Sequence, residues 1–429
     1  LTGAALVIRG GTVVDATGSR RADVGVRGGV VTAVEPTVEA ASGVRVLDAT
    51  GCFVAPGLVD LHTHLREPGR EEAETVETGS RAAALGGFTA VVAMPNTEPA
   101  LDCAAVARQV LELGREAVCD VHVAGAITVG RQGERLAPMG ELAELGVRLF
   151  TDDGTGVQDS RLMRRALEYA RGLGVTLAQH CEDAGLAHGG HMHEGAWSSR
   201  LGIGGIPAEA EELMVMRDIA LCRMTGASLH FLHLSTAGSV AMVRAAKAQG
   251  LPVSAEAAPH HFTLTDAEAA SFDPVFKVNP PLRTAEDVEA VKRGLAEGAI
   301  DAIATDHAPH DQSAKEAPWD EAPPGMLGLE TALALALDEL GLPIERVLAL
   351  LSWQPARIAG IEASHGGAVM PGRPANLTII DPNERWVVDP TRLASRSHNT
   401  PYGGRALTGR ARHTVLRGEP VVIGGEVQR

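Results

Sequence analysis

No two of the five cysteines stand as a C-x-x-C pair: Cys52, Cys103, Cys119, Cys181 and Cys222 are scattered along the chain. That spacing argues against a zinc ribbon and against a disulfide framework. Long apolar runs are missing too; none approaches the ~18 to 20 residues that a membrane span requires. The stretch from Leu1 to Arg9 lacks the basic, apolar and small-residue zones of a secretory signal, so a cytoplasmic protein with no membrane partner is expected. Positive charge is scarce, with 38 Lys and Arg against 54 Asp and Glu and a net charge of −16. A field of that sign disfavours nucleic acid as a partner. Lysine occurs only as Lys247, Lys277, Lys292 and Lys315.

The chain does have length, apolar content and glycine. Its 429 residues, 45% of them hydrophobic and 49 of them glycine, can bury a large core and predict one big domain with a smaller appendage. Residues 1–55 read as short β pieces, such as 5–9, 12–15 and 31–34, separated by glycine and charged turns. From Pro56 the order becomes apolar strand, loop, helix, repeated eight times. Strands are expected near 57–64, 88–95, 121–128, 147–152, 175–181, 228–234, 252–258 and 301–306, with helices among them at 71–85, 104–115, 160–171, 208–224 and 237–249. Beyond Trp353 to Ala359, glycine and proline punctuate the chain, and strands return at 377–380 and 421–423. The expected fold is α/β: a (β/α)8 TIM-type barrel over 56–365, with a small β-sandwich built from both termini, 1–55 and 366–429.

Chemistry first surfaces at Asp60-Leu61-His62-Thr63-His64-Leu65-Arg66. Alternation along a strand sends His62 and His64 to one face, with Val59 and Leu61 opposite. Arg66 shares the histidines' parity, and a guanidinium beside a metal suits a substrate that carries a carboxylate. A lone His-x-His is also at home in a core, so recurrence has to decide. Asp152-Asp153, His180, His233 and Asp306 each close a short apolar segment. In a barrel of this kind the C-terminal strand ends meet at one mouth, so these residues should gather there. Four histidines and one or two carboxylates suit one or two zinc ions with a position left open for water. Two cations need a bridging anion, which in related hydrolases is often a carboxylated lysine on the fourth strand. No lysine precedes His180. Asp153 or Asp152 is left for the task, and strand parity does not choose between them.

These residues carry a family resemblance. The runs from Pro56 to Gly69, Met94-Pro95-Asn96-Thr97, Thr151-Asp152-Asp153-Gly154, His180-Cys181-Glu182-Asp183, Val278-Asn279-Pro280-Pro281-Leu282-Arg283 and Ala304 to His310 together resemble the amidohydrolase superfamily and, within it, the class I dihydroorotases. The resemblance implies zinc, one or two ions per subunit, on His62, His64, Asp153, His180, His233 and Asp306. It selects Asp153 because the family's bridging aspartate is the one followed directly by glycine. The implied reaction is the reversible closure of N-carbamoyl-L-aspartate to L-dihydroorotate in pyrimidine synthesis, with a metal-held water as nucleophile and Asp306 as proton shuttle. Arg66, Asn96 and His310 match the family positions that recognise the substrate carboxylate, and Asn279 matches one near the ring. The stretch from Lys315 through Pro324 and Gly325 to Gly328 resembles a mobile loop whose backbone amides close on the substrate. A homo-oligomer is expected, and aspartate carbamoyltransferase is the protein partner the family suggests. Two other readings compete. A hydantoinase or allantoinase would use the same barrel, but the missing strand-four lysine and the pairing of Leu65-Arg66 with Met94-Pro95-Asn96 argue against it. A non-catalytic scaffold for the transcarbamoylase would have lost ligands that this chain keeps.

Other residues receive plainer readings. Cys181 is expected to pack, being opposite in direction to His180 on a strand. Asp60 reads as a strand-end hydrogen-bonding group, and His307 as structural. His188, His191 and His193 lie among glycines and read as solvated histidines of a flexible loop. His260 and His261 are expected to support the ligands from behind.

Overall fold

The computed structural model describes residues 5–428. Residues 1–4, the start of the stretch read for a targeting signal, lie outside the described residues. Eight strands occupy the expected segments: β1 (Leu58–Thr63), β2 (Phe88–Ala93), β3 (Asp120–Val123), β4 (Leu149–Phe150), β5 (Thr176–Gln179), β6 (Leu229–Phe231), β7 (Val253–Ala257) and β8 (Ala302–Ile303). All of their pairings are parallel. β1 pairs with β2 and β2 with β3, a bridge from Gly125 to Phe150 leads to β4, and pairing continues through β5, β6, β7 and β8. A bridge between His307 and Thr63 brings the circuit back to β1.

Burial explains this order. β2, Phe-Thr-Ala-Val-Val-Ala, is buried along its whole length, as a parallel strand covered on both faces must be. Val91, Phe150, Leu177, Phe231 and Ile303 pack outward onto helices through Met163, Val215, Val243 and Val291. Their chain neighbours Val92, Leu149, Ala178, Leu232, Ala302 and Ala304 form a separate cluster on the other face, the period of two expected of strands. The helices between strands start at side-chain caps. Thr75, Asp159 and Thr236 each accept from a backbone N–H of the first turn. Glycines in the left-handed region, Gly174 and Gly226, stop two of them. Among the described residues, no helix is long and apolar enough to cross a membrane.

The two ends of the chain meet in a seven-stranded sheet. Its order is Glu426–Val427, Glu419–Ile423, Ala406–Leu416, Leu377–Val387, Phe53–Pro56, Thr12–Asp15 and Gly18–Arg21. A four-stranded sheet, Val30–Glu35, Asp23–Arg27, Leu6–Arg9 and Arg45–Asp48, shares an apolar cluster with it through Ile8, Val24, Val54, Ile379 and Val415.

Several expectations need correction. The helix expected from residue 71 starts at Val76, because Thr75 and Thr78 form a reciprocal cap there. Strands expected to reach 234 and 306 end at Phe231 and Ile303, so His233 and Asp306 lie past the ladder. Strand Ala406–Leu416 was not expected, although it holds eleven residues. Its first half alternates buried Leu407, Gly409 and Ala411 with partly exposed Thr408, Arg410 and Arg412, which hid a strand whose last four residues are buried throughout. His193 is not solvated: it is buried in a two-residue strand paired with Gly205–Ile206, and Arg283 Nη1 lies 3.1 Å from its Nδ1.

Candidate metal and catalytic site

The residues that close the strands converge on one carboxylate. Asp153 Oδ2 lies 3.4 Å from His62 Nε2 and 3.6 Å from His64 Nε2, while its Oδ1 lies 3.6 Å from His180 Nδ1 and 3.5 Å from His233 Nε2. Each oxygen thus faces its own pair of imidazoles. Asp306 belongs to the first pair, with Oδ1 3.2 Å from His64 Nε2 and 3.5 Å from His62 Nε2. All six side chains are buried. Of the six described non-glycine residues at positive φ, three are Arg66, His233 and Asp306. Backbone strain of this kind collects at functional sites.

A metal fits this donor set. His62, His64 and Asp153 form one group able to hold an ion, and Asp153, His180 and His233 form another. Ligand atoms about 2.0–2.1 Å from a tetrahedral ion are about 3.3 Å apart, close to the spacings found here. His62 Nε2 and Asp153 Oδ1 are buried with no hydrogen-bond partner. Such atoms are rare unless something else satisfies them. Burial raises the Asp153 carboxyl pKa, but His62, His180 and His233 outweigh it and hold the group well below the usual range. Asp306 is likewise lowered: burial opposes ionisation, and the charge of His62 and the hydrogen bond with His64 overcome it. Both carboxylates are therefore anionic at neutral pH.

The neighbouring aspartates have other tasks. Asp152 Oδ1 accepts from the backbone of Ile127 at 2.8 Å and Thr128 at 3.0 Å, and its Oδ2 accepts from the Thr128 hydroxyl. Asp153 alone of that pair faces the histidines. Asp60 accepts from Thr305 N at 2.9 Å, from the Thr305 hydroxyl and from His62 N at 3.2 Å. It ties β1 to the end of β8, the hydrogen-bonding role expected of it, but from inside β1 and not from its end. Cys181 is buried. His307 is held between Glu74, 3.2 Å away, and the Gly328 N–H. His261 Nε2 donates to Pro280 O at 3.0 Å, and His260 Nε2 lies 3.9 Å from Asp306 Oδ2. His191 is partly exposed and lies 3.4 Å from Lys277 Nζ, while His188 is exposed.

A cavity of about 220 Å³ opens beside this cluster, walled by Arg66, Arg70, Asn96, Asn279, His310, Pro324 and Gly325. The parity argument for Arg66 does not survive. Pairing between β1 and β2 slips between Asp60 and Thr63, β1 ends at Thr63, and Arg66 reaches the cavity through a positive φ of 62°. Its Nε donates to Pro309 O at 3.1 Å, and Nη2 lies 3.4 Å from His310 Nε2. His310 Nε2 also meets Pro324 O at 2.9 Å. Burial, then the charge of Arg66, lowers the His310 pKa to about 3, so this imidazole is neutral. Asn96 Oδ1 accepts from His64 Nδ1 at 2.9 Å, which leaves its amide NH2 for a ligand. Asn279 Nδ2 lies 3.4 Å from His180 Nε2. A larger cavity, about 270 Å³, is lined mainly by aliphatic side chains with His122 and Arg148 and by no carboxylate.

The segment from Lys315 to Gly328, expected as a mobile loop, is held here by hydrogen bonds. Lys315 Nζ donates to Pro274 O at 2.9 Å and Pro323 O at 2.8 Å. The Gly325 N–H, expected to close on the substrate, instead donates to Lys277 O at 2.8 Å. Asn399, which the sequence reading passed over, fastens both walls: Nδ2 donates to Ala308 O and Gly325 O, at 3.0 and 3.1 Å, and Oδ1 accepts from His310 N at 3.1 Å. Asn399→Ala is expected to raise KM by roughly tenfold and change kcat less, since the three hydrogen bonds that order the wall are lost. Steady-state kinetics check it; an unchanged KM would show that the wall does not need this clasp. Glu256 was also passed over, although an acid inside the apolar run of β7 is a legible signal. It sits 2.9 Å from His62 Nδ1 and 3.0 Å from His230 Nε2.

Comparison with known proteins fits this geometry. A family model described as Dihydro-orotase-like matches residues 51–239. Dihydroorotase of Pelotomaculum thermopropionicum is 50% identical over 424 residues, covering 97% of this chain and 98% of that protein. Dihydroorotase of Streptomyces coelicolor is 49% identical, covering 98% and 99%. Among solved structures, L-hydantoinase (dihydropyrimidinase) from Arthrobacter aurescens aligns with a TM-score of 0.87 at 26% identity, covering 99% of this chain and 97% of that one. D-hydantoinase (dihydropyrimidinase) from Thermus sp. aligns at 0.84, also at 26% identity, covering 98% and 96%. Near-full-length identity of about one half with proteins named for one activity, on a chain whose histidines and aspartates gather as that chemistry needs, places this chain in the dihydroorotase family.

Proposed function

We propose that this chain catalyses the reversible closure of N-carbamoyl-L-aspartate to L-dihydroorotate, a step of pyrimidine synthesis, with one or two zinc ions held by His62, His64, Asp153, His180, His233 and Asp306. The observation that carries the reading is Asp153, whose two oxygens each face a separate histidine pair. In the same reading, the strand circuit is a (β/α)8 barrel over residues 56–365, and the outer sheets form a β-sandwich from 1–55 and 366–429.

Zinc would supply Lewis-acid polarisation of the ring carbonyl and a water acidic enough to ionise near neutral pH. Asp306, ionised and beside His62 and His64, accepts the proton of the attacking water on ring opening and delivers it to the departing ring nitrogen. In closure it takes the proton of the ureido nitrogen as that nitrogen bonds to the carboxyl carbon, and returns it to the hydroxyl whose C–O bond breaks, so that water leaves. Arg66 offers guanidinium N–H groups to the exocyclic carboxylate, with the Asn96 amide and the neutral His310 as directional partners. The hydrogen bond to Asn96 Oδ1 fixes a proton on His64 Nδ1 and turns Nε2 toward the centre. The pinned segment around Pro324 and Gly325 walls the cavity and limits water.

The test compares L-dihydroorotate with hydantoin, a cyclic amide without the acidic arm. Dihydroorotate should react at least about a hundredfold faster, and Arg66→Ala should raise its KM by roughly 30- to 100-fold, the loss of a charged hydrogen bond of about 2–3 kcal/mol. Equal turnover of both rings by the wild-type enzyme would overturn the assignment.

A further inference from the structure

Of the four imidazoles facing Asp153, one is backed by a carboxylate. His64 leans on the neutral amide of Asn96 and His180 on that of Asn279, and His233 Nδ1 has no partner. His62 Nδ1 instead meets Glu256 Oε1 at 2.9 Å. Glu256 is fully buried near the end of β7, between Ala255 and Ala257, both of which join the main apolar core. A carboxylate in such a place is strongly destabilising unless its oxygens are matched. Its second oxygen is matched by His230 Nε2 at 3.0 Å, and His230 Nδ1 in turn meets the Ser254 hydroxyl at 2.8 Å. Both His230 and Glu256 are 0% exposed, and neither lines the substrate cavity.

We propose that Glu256 is a positioning residue for the metal centre: it holds the Nδ1–H of His62, so that the Nε2 lone pair points at the site shared with Asp153, and it is itself held by His230. The arrangement rests on the metal reading above and adds a division of labour to it. A carboxylate behind an imidazole fixes the tautomer and the ring plane and makes the other nitrogen a better donor. The anchoring also crosses strands. His230 lies on β6, three residues before His233, so one carboxylate links the ligand at the end of β1 to the strand that presents the ligand of the opposite pair.

The experiment measures zinc affinity of the full-length protein by competition with a chromophoric chelator, using zinc alone as probe, and the melting temperature of the metal-free protein. Glu256→Gln keeps the shape but removes the anion; its zinc Kd should rise by about 10- to 100-fold, while the metal-free protein melts close to the wild type. His230→Gln should weaken zinc in the same direction by less, and the double variant should be no weaker than Glu256→Gln alone, because both act through one hydrogen bond. Should Glu256→Gln fail to fold, His230→Gln carries the test, since it touches neither ligand nor cavity. A wild-type protein that binds zinc, with Glu256→Gln or, in its place, His230→Gln binding it equally well, overturns the positioning role alone. A wild-type protein that binds no zinc overturns this inference together with the metal reading.

Discussion

Asp306→Ala is expected to reduce dihydroorotate turnover by about a thousandfold or more while the protein still takes up metal. The reason lies in how the site divides. Both groups able to hold an ion are built on Asp153 and the four histidines, and neither requires Asp306. Its Oδ1 sits 3.2–3.5 Å from the His64 and His62 nitrogens, close enough to steady that pair but redundant as the sole anion. Asp153, the other ionised carboxylate on the cavity wall, has both oxygens turned to histidines, which leaves Asp306 to carry a proton between the water and the ring nitrogen. His260, the next titratable group toward it, is pushed far below the usual imidazole range by burial and by His261, so it cannot substitute. Metal content by atomic emission, beside progress curves in both directions, separates loss of the base from loss of the ion. Full activity in this variant would refute the shuttle; a metal-free variant would move Asp306 from proton carrier to indispensable ligand.

Asp153→Ala should empty the site. One carboxylate is common to both histidine pairs, so its removal takes the shared anionic donor from each and leaves Asp306, beside His62 and His64, as the remaining anion. Bound zinc should fall below about a tenth of the wild-type content and turnover should fall with it by a thousandfold or more. The adjacent Asp152→Ala makes the contrast. Its three hydrogen bonds hold the turn at Ile127 and Thr128, so that change should destabilise the fold by about 2–4 kcal/mol, seen as an earlier denaturation midpoint, while the folded fraction keeps its metal. If the two variants lose zinc equally, the shared-carboxylate geometry is not what binds the ion.

Much of this was legible because the site sits where strands stop. An apolar run that ends in His or Asp advertises a group aimed out of a core, and His62, His180, His233 and Asp306 were all found by that pattern. Periodicity was less dependable at the ends themselves. The β1 register slips between Asp60 and Thr63, and Arg66, His233 and Asp306 take positive φ, so the direction of a side chain there follows a local bend and not alternation. Spacing also fails for partners far apart in the chain. Glu256 stands 194 residues from His62, and Asn399 89 residues from His310; neither reach has a sequence period. The strand Ala406–Leu416 escaped for a different reason. Arg410 and Arg412 occupy its outer face and dilute the apolar signal that its inner face carries.

The clasp made by Asn399 sets an order of construction. A ribosome that has reached Asp306 has already made every histidine and aspartate of the candidate metal site, yet the walls at Ala308 to His310 and at Gly325 still lack the side chain that joins them. Strands Thr12–Asp15 and Phe53–Pro56, among the first to emerge, must likewise wait for Leu377–Val387 before their sheet can be completed. The donor side chains are thus all in place well before the wall beside them is fastened, and the shape of the cavity is the last feature to be completed.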